Sequence, residues 1–185
     1  MTDLGPRKKA LRYLSNGIHQ TIDSIDCVLA DRLVDAIHKA ERVFIYGAGR
    51  SGFVARCFAM RLGHLGLRVV RMSIDEVDAP GERDMTIIVS GTGETQSSMF
   101  YAQSSRDGGT LVASITEVAK SSLARMSDIT IHLNTPNDED REIYAPMGTI
   151  FEDACMIFLD TVVVDLMVRL EETEGSMRKR HGQLY

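Results

Sequence analysis

Val43-Phe44-Ile45-Tyr46-Gly47-Ala48-Gly49-Arg50-Ser51-Gly52 is an apolar β-type run that empties into a small-residue loop ahead of a helical stretch from Phe53. The pattern returns about forty residues on: Met85-Thr86-Ile87-Ile88-Val89, then Ser90-Gly91-Thr92-Gly93-Glu94-Thr95, then a helical run from Gln96. Where a buried strand feeds a helix N-terminus, unpaired backbone N–H groups and the positive end of the helix dipole attract an anion. Two such loops on neighbouring strands make a pocket for a phosphate carried by something small and hydroxylated.

Outward from these junctions the chain alternates. Short β-rich runs at 42–46, 67–72, 84–89, 110–115 and 128–133 are separated by helical stretches at 52–64, 94–107 and 118–126, with a weak stretch at 73–83. This alternation predicts an α/β fold, a parallel sheet of five strands wrapped by helices. Ligands of such sheets sit at the carboxyl ends of the strands, the edge that carries both loops. Before the sheet, Leu11, Leu14, Ile18, Ile22, Ile25, Leu29, Leu33 and Ile37 recur at helical spacing, with a break near Asp26-Cys27. Their apolar stripe packs either on its own domain or on another subunit. After the sheet, the polar segment Thr135 to Gly148 reads as a loop able to fold over the site, followed by a long helix from about Ile150 to Glu171 and a polar tail. The expected organisation is one domain over 1–185: N-terminal helices to 40, an α/β core over 41–172 and a C-terminal tail over 173–185.

Composition narrows the function. The formal net charge of −5 argues against nucleic acid, which selects a basic face. Cys27, Cys57 and Cys155 are far apart and odd in number, which suggests reduced thiols and a cytoplasmic protein. The five histidines show no metal-binding spacing, so no metal is expected. The first six residues have no apolar core of a leader, and the apolar stretch Ile150 to Leu170 is broken by Glu152, Asp153, Asp160, Asp165 and Arg169, unlike a membrane span.

Each motif has a plainer reading beside the functional one. Gly47-x-Gly49-x-x-Gly52 matches a dinucleotide fingerprint, but that needs an acidic residue at the end of the next strand, and Asp75 and Glu76 come late. The second anion-type loop favours a phosphosugar. Ser90, Thr92 and Thr95 offer hydroxyls to phosphate, and Gly91 and Gly93 allow close approach; the same residues are good helix N-caps, and the two uses are compatible. Glu94, beside a dianion, is expected to turn away to a backbone N–H. Glu152 ends a Thr149-x-x-Glu152 capping box at the start of the long helix, and that spacing alone favours the cap. Its apolar neighbours would raise its pKa and the helix dipole would lower it. Arg50 either neutralises phosphate or polarises a substrate oxygen, or is a surface arginine. His64 reads as a helix-terminal residue and His132 as structural.

Ser-Gly-Thr-Gly-Glu-Thr after a strand, and Gly-Ala-Gly-Arg-Ser-Gly earlier, resemble the two loops of the SIS (sugar isomerase) domain family, from about residue 10 to the C-terminus. Ala145-Pro146-Met147-Gly148-Thr149-Ile150-Phe151-Glu152 with Arg180-His181 resembles one branch, the 6-phospho-3-hexuloisomerases. The resemblance implies a flavodoxin-like doubly wound sheet sandwiched by helices, with an N-terminal helical extension. It also implies interconversion of D-arabino-3-hexulose 6-phosphate and D-fructose 6-phosphate in the ribulose monophosphate route of formaldehyde fixation, without a cofactor. In that scheme Glu152 is the general base, contrary to the capping reading. Ser51, Ser90, Thr92 and Thr95 bind the phosphate, and Gly49, Arg50, Gly91 and Gly93 line the substrate. His181 reaches a neighbour's site in a homotetramer. Arabinose 5-phosphate isomerases, and non-catalytic phosphosugar sensors, are the rival readings. The chain departs from the branch at Asp75-Glu76-Val77-Asp78-Ala79-Pro80, where a Gly-Glu and a Thr-Thr-Pro turn are common, and at Gly182-Gln183-Leu184-Tyr185 after Arg180-His181.

Overall fold

The structure, a computed structural model, describes residues 5–73 and 78–181. Both departures just named therefore lie largely outside the described residues. Two helices come first, α1 (Pro6–Asp23) and α2 (Cys27–Lys39). The break between them is a cap: the Asp26 carboxylate accepts the N–H groups of Val28 and Leu29 at 2.8 and 3.2 Å, which satisfies two orphan donors of α2. The alternating core follows as β1 (Val43–Gly47), α3 (Gly49–His64), β2 (Val69–Arg71), β3 (Met85–Val89), α4 (Gln96–Asp107), β4 (Leu111–Thr116), α5 (Ser122–Arg125) and β5 (Ile129–His132). Then come α6 (Asp140–Tyr144), a 3-10 turn over Pro146–Gly148, α7 (Thr149–Arg169) and α8 (Glu174–His181).

All strand pairs are parallel and the order is β2-β1-β3-β4-β5, the doubly wound arrangement expected. The switch in strand order falls between β1 and β3, where ligands of such folds bind. Register pairs Gly47 with Val89 and Val89 with Ile115, so the residues that follow β1, β3 and β4 emerge at one level of one edge.

Strand alternation assigns the two faces. Val43, Ile45, Met85, Ile87, Val89, Ala113 and Ile115 point to the larger core, covered by α2, α3 and α7. Ile88 and Val112 point the other way and meet Ala102 of α4 and Leu123 of α5. Helix α7 buries ten residues along its length, which accounts for the apolar character of the stretch from Ile150. The N-terminal stripe is covered in part by its own chain, with Leu11 of α1 left exposed. Leu33, Val34 and Ile37 of α2 are fully buried, and α1 lies on α6 and α7. A Cβ at Gly17 would sit 2.6 Å from Ile150 Cδ1, so any larger residue there would force Ile150 to shift.

Helical content exceeds the sequence expectation in three places. Helix α3 starts at Gly49, inside the first loop, and the loop at 135–148 contains α6. The polar tail holds α8, docked through buried Met177 and through Arg180, whose guanidinium donates to the His64 carbonyl (2.9 Å) and to both Glu172 carboxylate oxygens (2.7 and 2.9 Å). Those bonds are long-range or polar, so no apolar period announces them. Conversely, the helix expected over 118–126 shrinks to α5.

Candidate active site

Three helix N-termini meet at the carboxyl edge of β1 and β3 around a cavity of about 530 Å³. Ala48 and Ser51 bring the start of α3, Thr92 and Thr95 the start of α4, and Gly148 and Glu152 the start of α7. Each first turn leaves N–H groups without intrahelical partners, so three partial positive charges face one space. Such an arrangement is chemically able to hold an anion on backbone N–H groups. A larger hollow, about 710 Å³, lies across β1 against β2; among the described residues it carries Arg56 and Arg71 but no carboxylate and none of the second loop's hydroxyls. Of these two, the smaller cavity is the one that brings hydroxyls and carboxylates together.

The first loop is shaped by contact. Gly47 and Gly52 touch so closely that a Cβ on Gly52 would lie 2.5 Å from the Gly47 carbonyl oxygen, so strand end and helix start are drawn together. Neither position admits a side chain. In the second loop Ser90 Oγ and Thr95 Oγ1 stand 3.4 Å apart, and the Thr95 hydroxyl makes no cap bond to α4. Thr95 is thus the N-cap residue of α4 without its hydroxyl serving as the cap. Thr92 Oγ1 accepts the Glu94 N–H (3.2 Å). Glu94 turns away as expected, accepting the Ser122 N–H at 2.7 Å, and that bond holds its carboxyl below the usual range. Gly93 has φ 64°, and a Cβ there would strike Ser121 Oγ at 2.2 Å.

The capping box is not formed. Thr149 is the first helical residue, not the N-cap; its hydroxyl donates to the Pro146 carbonyl at 2.6 Å, and the N-cap is Gly148 at φ 83°. Met147 and Gly148 both take left-handed conformations, which swing the chain so that α7 begins at the cavity wall. Glu152, 10% exposed at its side chain, is free of capping duty and instead pairs with Arg50, which is 59% exposed. Arg50 also lies 4.0 Å from Asp153. Behind Glu152, Cys155 is fully buried, and burial together with the Glu152 charge pushes its thiol far above the usual range. It is no nucleophile at neutral pH.

One wall was not foreseen. Glu117, the first residue after β4, lines the cavity and is held by Arg141 of α6 and Thr135. A polar residue directly after a strand that ends at the ligand edge was the available signal. His132 is structural, with Nε2 3.2 Å from the Glu117 carbonyl oxygen. His181 is not in its own chain's site. It faces His64 with ring centroids 5.0 Å apart, at the far end of α3. With 16 residues in α3, about 24 Å of helix separates that end from Gly49. Burial, then the charges of His181 and Arg61, lower the His64 pKa. Among the described residues no three His, Cys, Asp or Glu side chains group as a metal site.

With this geometry established, the SIS domain family model matches residues 36–153. The chain belongs to the SIS domain family. A relative from Methanocaldococcus jannaschii named 3-hexulose-6-phosphate isomerase is 37% identical over 155 residues, covering 83% of each chain. One of the same name from Bacillus subtilis is 34% identical, covering 91% of this chain and 94% of its own. A crystal structure from Methanococcus jannaschii, described as inferring a 3-hexulose-6-phosphate isomerase function, has TM-score 0.83 and 34% identity, covering 94% of this chain and 97% of that one. Among the described residues of this SIS protein no helix is long and apolar enough to cross a membrane.

Proposed function

We propose that this SIS protein interconverts D-arabino-3-hexulose 6-phosphate and D-fructose 6-phosphate through a C2–C3 enediol. The observation that carries this is the meeting of three helix N-termini around one cavity whose wall also holds Glu152, freed from its cap. The phosphate rests on Ser90, Thr92, Thr95 and Ser51, with Gly49, Gly91 and Gly93 letting backbone approach. Binding energy from this non-reacting group orients the carbons at the other end.

In the hexulose the C6 oxygen is esterified, so the C3 ketone cannot close a furanose through it and the substrate enters open. Glu152 takes the proton from C2; the C–H electrons form the C2=C3 bond and the C3 carbonyl oxygen gains negative charge. Arg50, drawn off the carboxylate by that oxygen, stabilises the charge. The proton returns to C3 and the O2 proton passes to the O3 oxyanion, which leaves the C2 ketone and a C3 hydroxyl. Both carbons are activated by the migrating carbonyl, so the chemistry requires a base and donors but no cofactor. Fructose 6-phosphate closes through O5 onto C2, and its ring opening falls to His181, supplied by a neighbouring subunit of a homotetramer because its own chain holds it far from the site. The reaction belongs to formaldehyde fixation by the ribulose monophosphate route, and we place the protein in the cytoplasm. The test is incubation with fructose 6-phosphate and hexulose-phosphate synthase: formaldehyde is released if the reading holds, and none beyond the synthase-only control if it fails.

A further inference from the structure

The cavity holds a second carboxylate that the scheme above does not use. Glu117 is fixed at both ends. Its backbone N–H donates to the Gly91 carbonyl (3.0 Å), and its carboxylate receives the Thr135 hydroxyl on Oε2 (2.7 Å) and Arg141 Nη2 on Oε2 (2.9 Å) and Oε1 (3.2 Å). The side chains are half-hidden, 15% exposed for Glu117 and 23% for Arg141. An ionised carboxylate has room for about four hydrogen bonds. Oε2 carries two protein donors, whereas Oε1 carries one and turns towards the ligand loop: a Cβ at Gly91 would lie 3.6 Å from Oε1 and 3.2 Å from Phe151 Cδ1. Oε1 therefore lies beside the phosphate loop, in the cavity that Glu152 also lines.

A bare carboxylate there would repel a phosphate dianion. Arg141 supplies the counter-charge, so the net charge of this wall is zero while the acceptor remains. What fits an acceptor-only oxygen beside an anion site, in the cavity that also holds the proton-abstracting group, is a hydroxyl. Resting on the reading of the site as a hexulose-phosphate isomerase centre, we infer that Glu117 Oε1 accepts a hydroxyl of the carbons between the phosphate and the reacting pair, C4 or C5. It is then a specificity-determining residue, and Arg141 is the positioning residue that holds its carboxylate in place and supplies the counter-charge beside the dianion. A site built to bond a hydroxyl discriminates against the analogue that lacks it, because the acceptor is left without a partner.

Thr135 and Arg141 both belong to the segment that leads into α7, so loss of Glu117 could also loosen the site as a whole. The experiment separates the two. Wild type, Glu117→Ala and the isosteric Glu117→Gln are assayed for KM and kcat with fructose 6-phosphate, and for inhibition by 4-deoxyfructose 6-phosphate, 5-deoxyfructose 6-phosphate and inorganic phosphate. Wild type should hold one of the two deoxy compounds about ten- to a hundredfold more weakly than fructose 6-phosphate, the size of one hydrogen bond to a charged group. Glu117→Ala should raise KM for fructose 6-phosphate by the same factor, leaving that deoxy compound and inorganic phosphate near their wild-type inhibition. Glu117→Gln should move the same way by less, and it serves if the alanine variant does not fold. Equal weakening of every ligand, or full retention of hydroxyl discrimination in both variants, overturns the assignment. Wild-type protein that turns over fructose 6-phosphate confines such a failure to Glu117; wild-type protein that does not overturns the isomerase reading along with it.

Discussion

Glu152→Gln exchanges a carboxylate for an amide of the same shape, and the structure limits what else that exchange disturbs. No helix cap is lost, because Gly148 is the N-cap and the Thr149 hydroxyl is bonded to Pro146. The pair with Arg50 is lost, but Arg50 is 59% exposed, and a pair with so wet a partner contributes about 0–1 kcal/mol. Removing one negative charge from the first turn of α7 costs about 0.3–1 kcal/mol of dipole interaction. The sum is on the order of 1 kcal/mol, or a fall of about 2–4 °C in melting temperature for a chain of this size. Loss of a general base, in contrast, costs about 10²–10⁴-fold in turnover. Thermal melting followed by circular dichroism, alongside turnover of fructose 6-phosphate, reads both quantities on one sample. The expected variant melts nearly as wild type, binds substrate and barely turns over. A variant that melts much earlier but turns over at the wild-type rate per folded molecule would refute the base assignment.

Thr95→Val keeps the shape of the second loop and deletes a hydroxyl with no capping bond, so KM should rise about ten- to a hundredfold with inhibition by free phosphate weakened in step; unchanged values of both would remove Thr95 from the phosphate site. His181→Ala should slow turnover of cyclic fructose 6-phosphate more than that of the open-chain hexulose, and mixing it with Glu152→Gln should restore part of the activity; demonstrated subunit exchange without restored activity would exclude a shared site. Gly93→Ala forces a left-handed alanine, at about 1–2 kcal/mol before the clash with Ser121 Oγ is counted, and should lower melting temperature and phosphate affinity together; wild-type melting would contradict the loop geometry. Docking of α8 should weaken in acid in two stages, read by hydrogen exchange of its amides. His64 is held neutral in the fold, its pKa lowered from 6.5, so its contribution is full above 6.5 and declines as pH falls below it. Glu172, bonded by Arg180 and Ser176, has its pKa lowered from 4.5 to about 2, so its contribution is full above 4.5 and is lost towards 2. Exchange in α8 independent of pH across both windows would show that these groups do not hold it.

The sheet was legible because its strands are short apolar runs that end in small residues, and a parallel sheet needs that pattern at every crossover. The two loops were legible for the same reason, since glycine and hydroxyl residues at a strand end have few other uses. What escaped was decided by long-range polar contact. Thr149-x-x-Glu152 has the spacing of a capping box, but the left-handed pair Met147 and Gly148 moves the helix start by one residue, which turns Thr149 back to Pro146 and releases Glu152 to Arg50. Glu117 gave no motif because its partners, Thr135 and Arg141, lie 18 and 24 residues away. Helix α8 is almost wholly polar, and its order rests on one buried side chain, Met177, with the Arg180 bonds to Glu172 and to the end of α3.

Proton exchange in deuterium oxide reaches the central claim without any coupling enzyme. Fructose 6-phosphate is incubated with the protein and followed by nuclear magnetic resonance. A C2–C3 enediol should place deuterium at C3 of fructose 6-phosphate while signals of the 3-hexulose 6-phosphate grow, and Glu152→Gln should suppress both. Deuterium at C1 would mean a C1–C2 enediol and a different isomerase, and neither label nor new ketose would mean that the site binds a phosphosugar without transforming it.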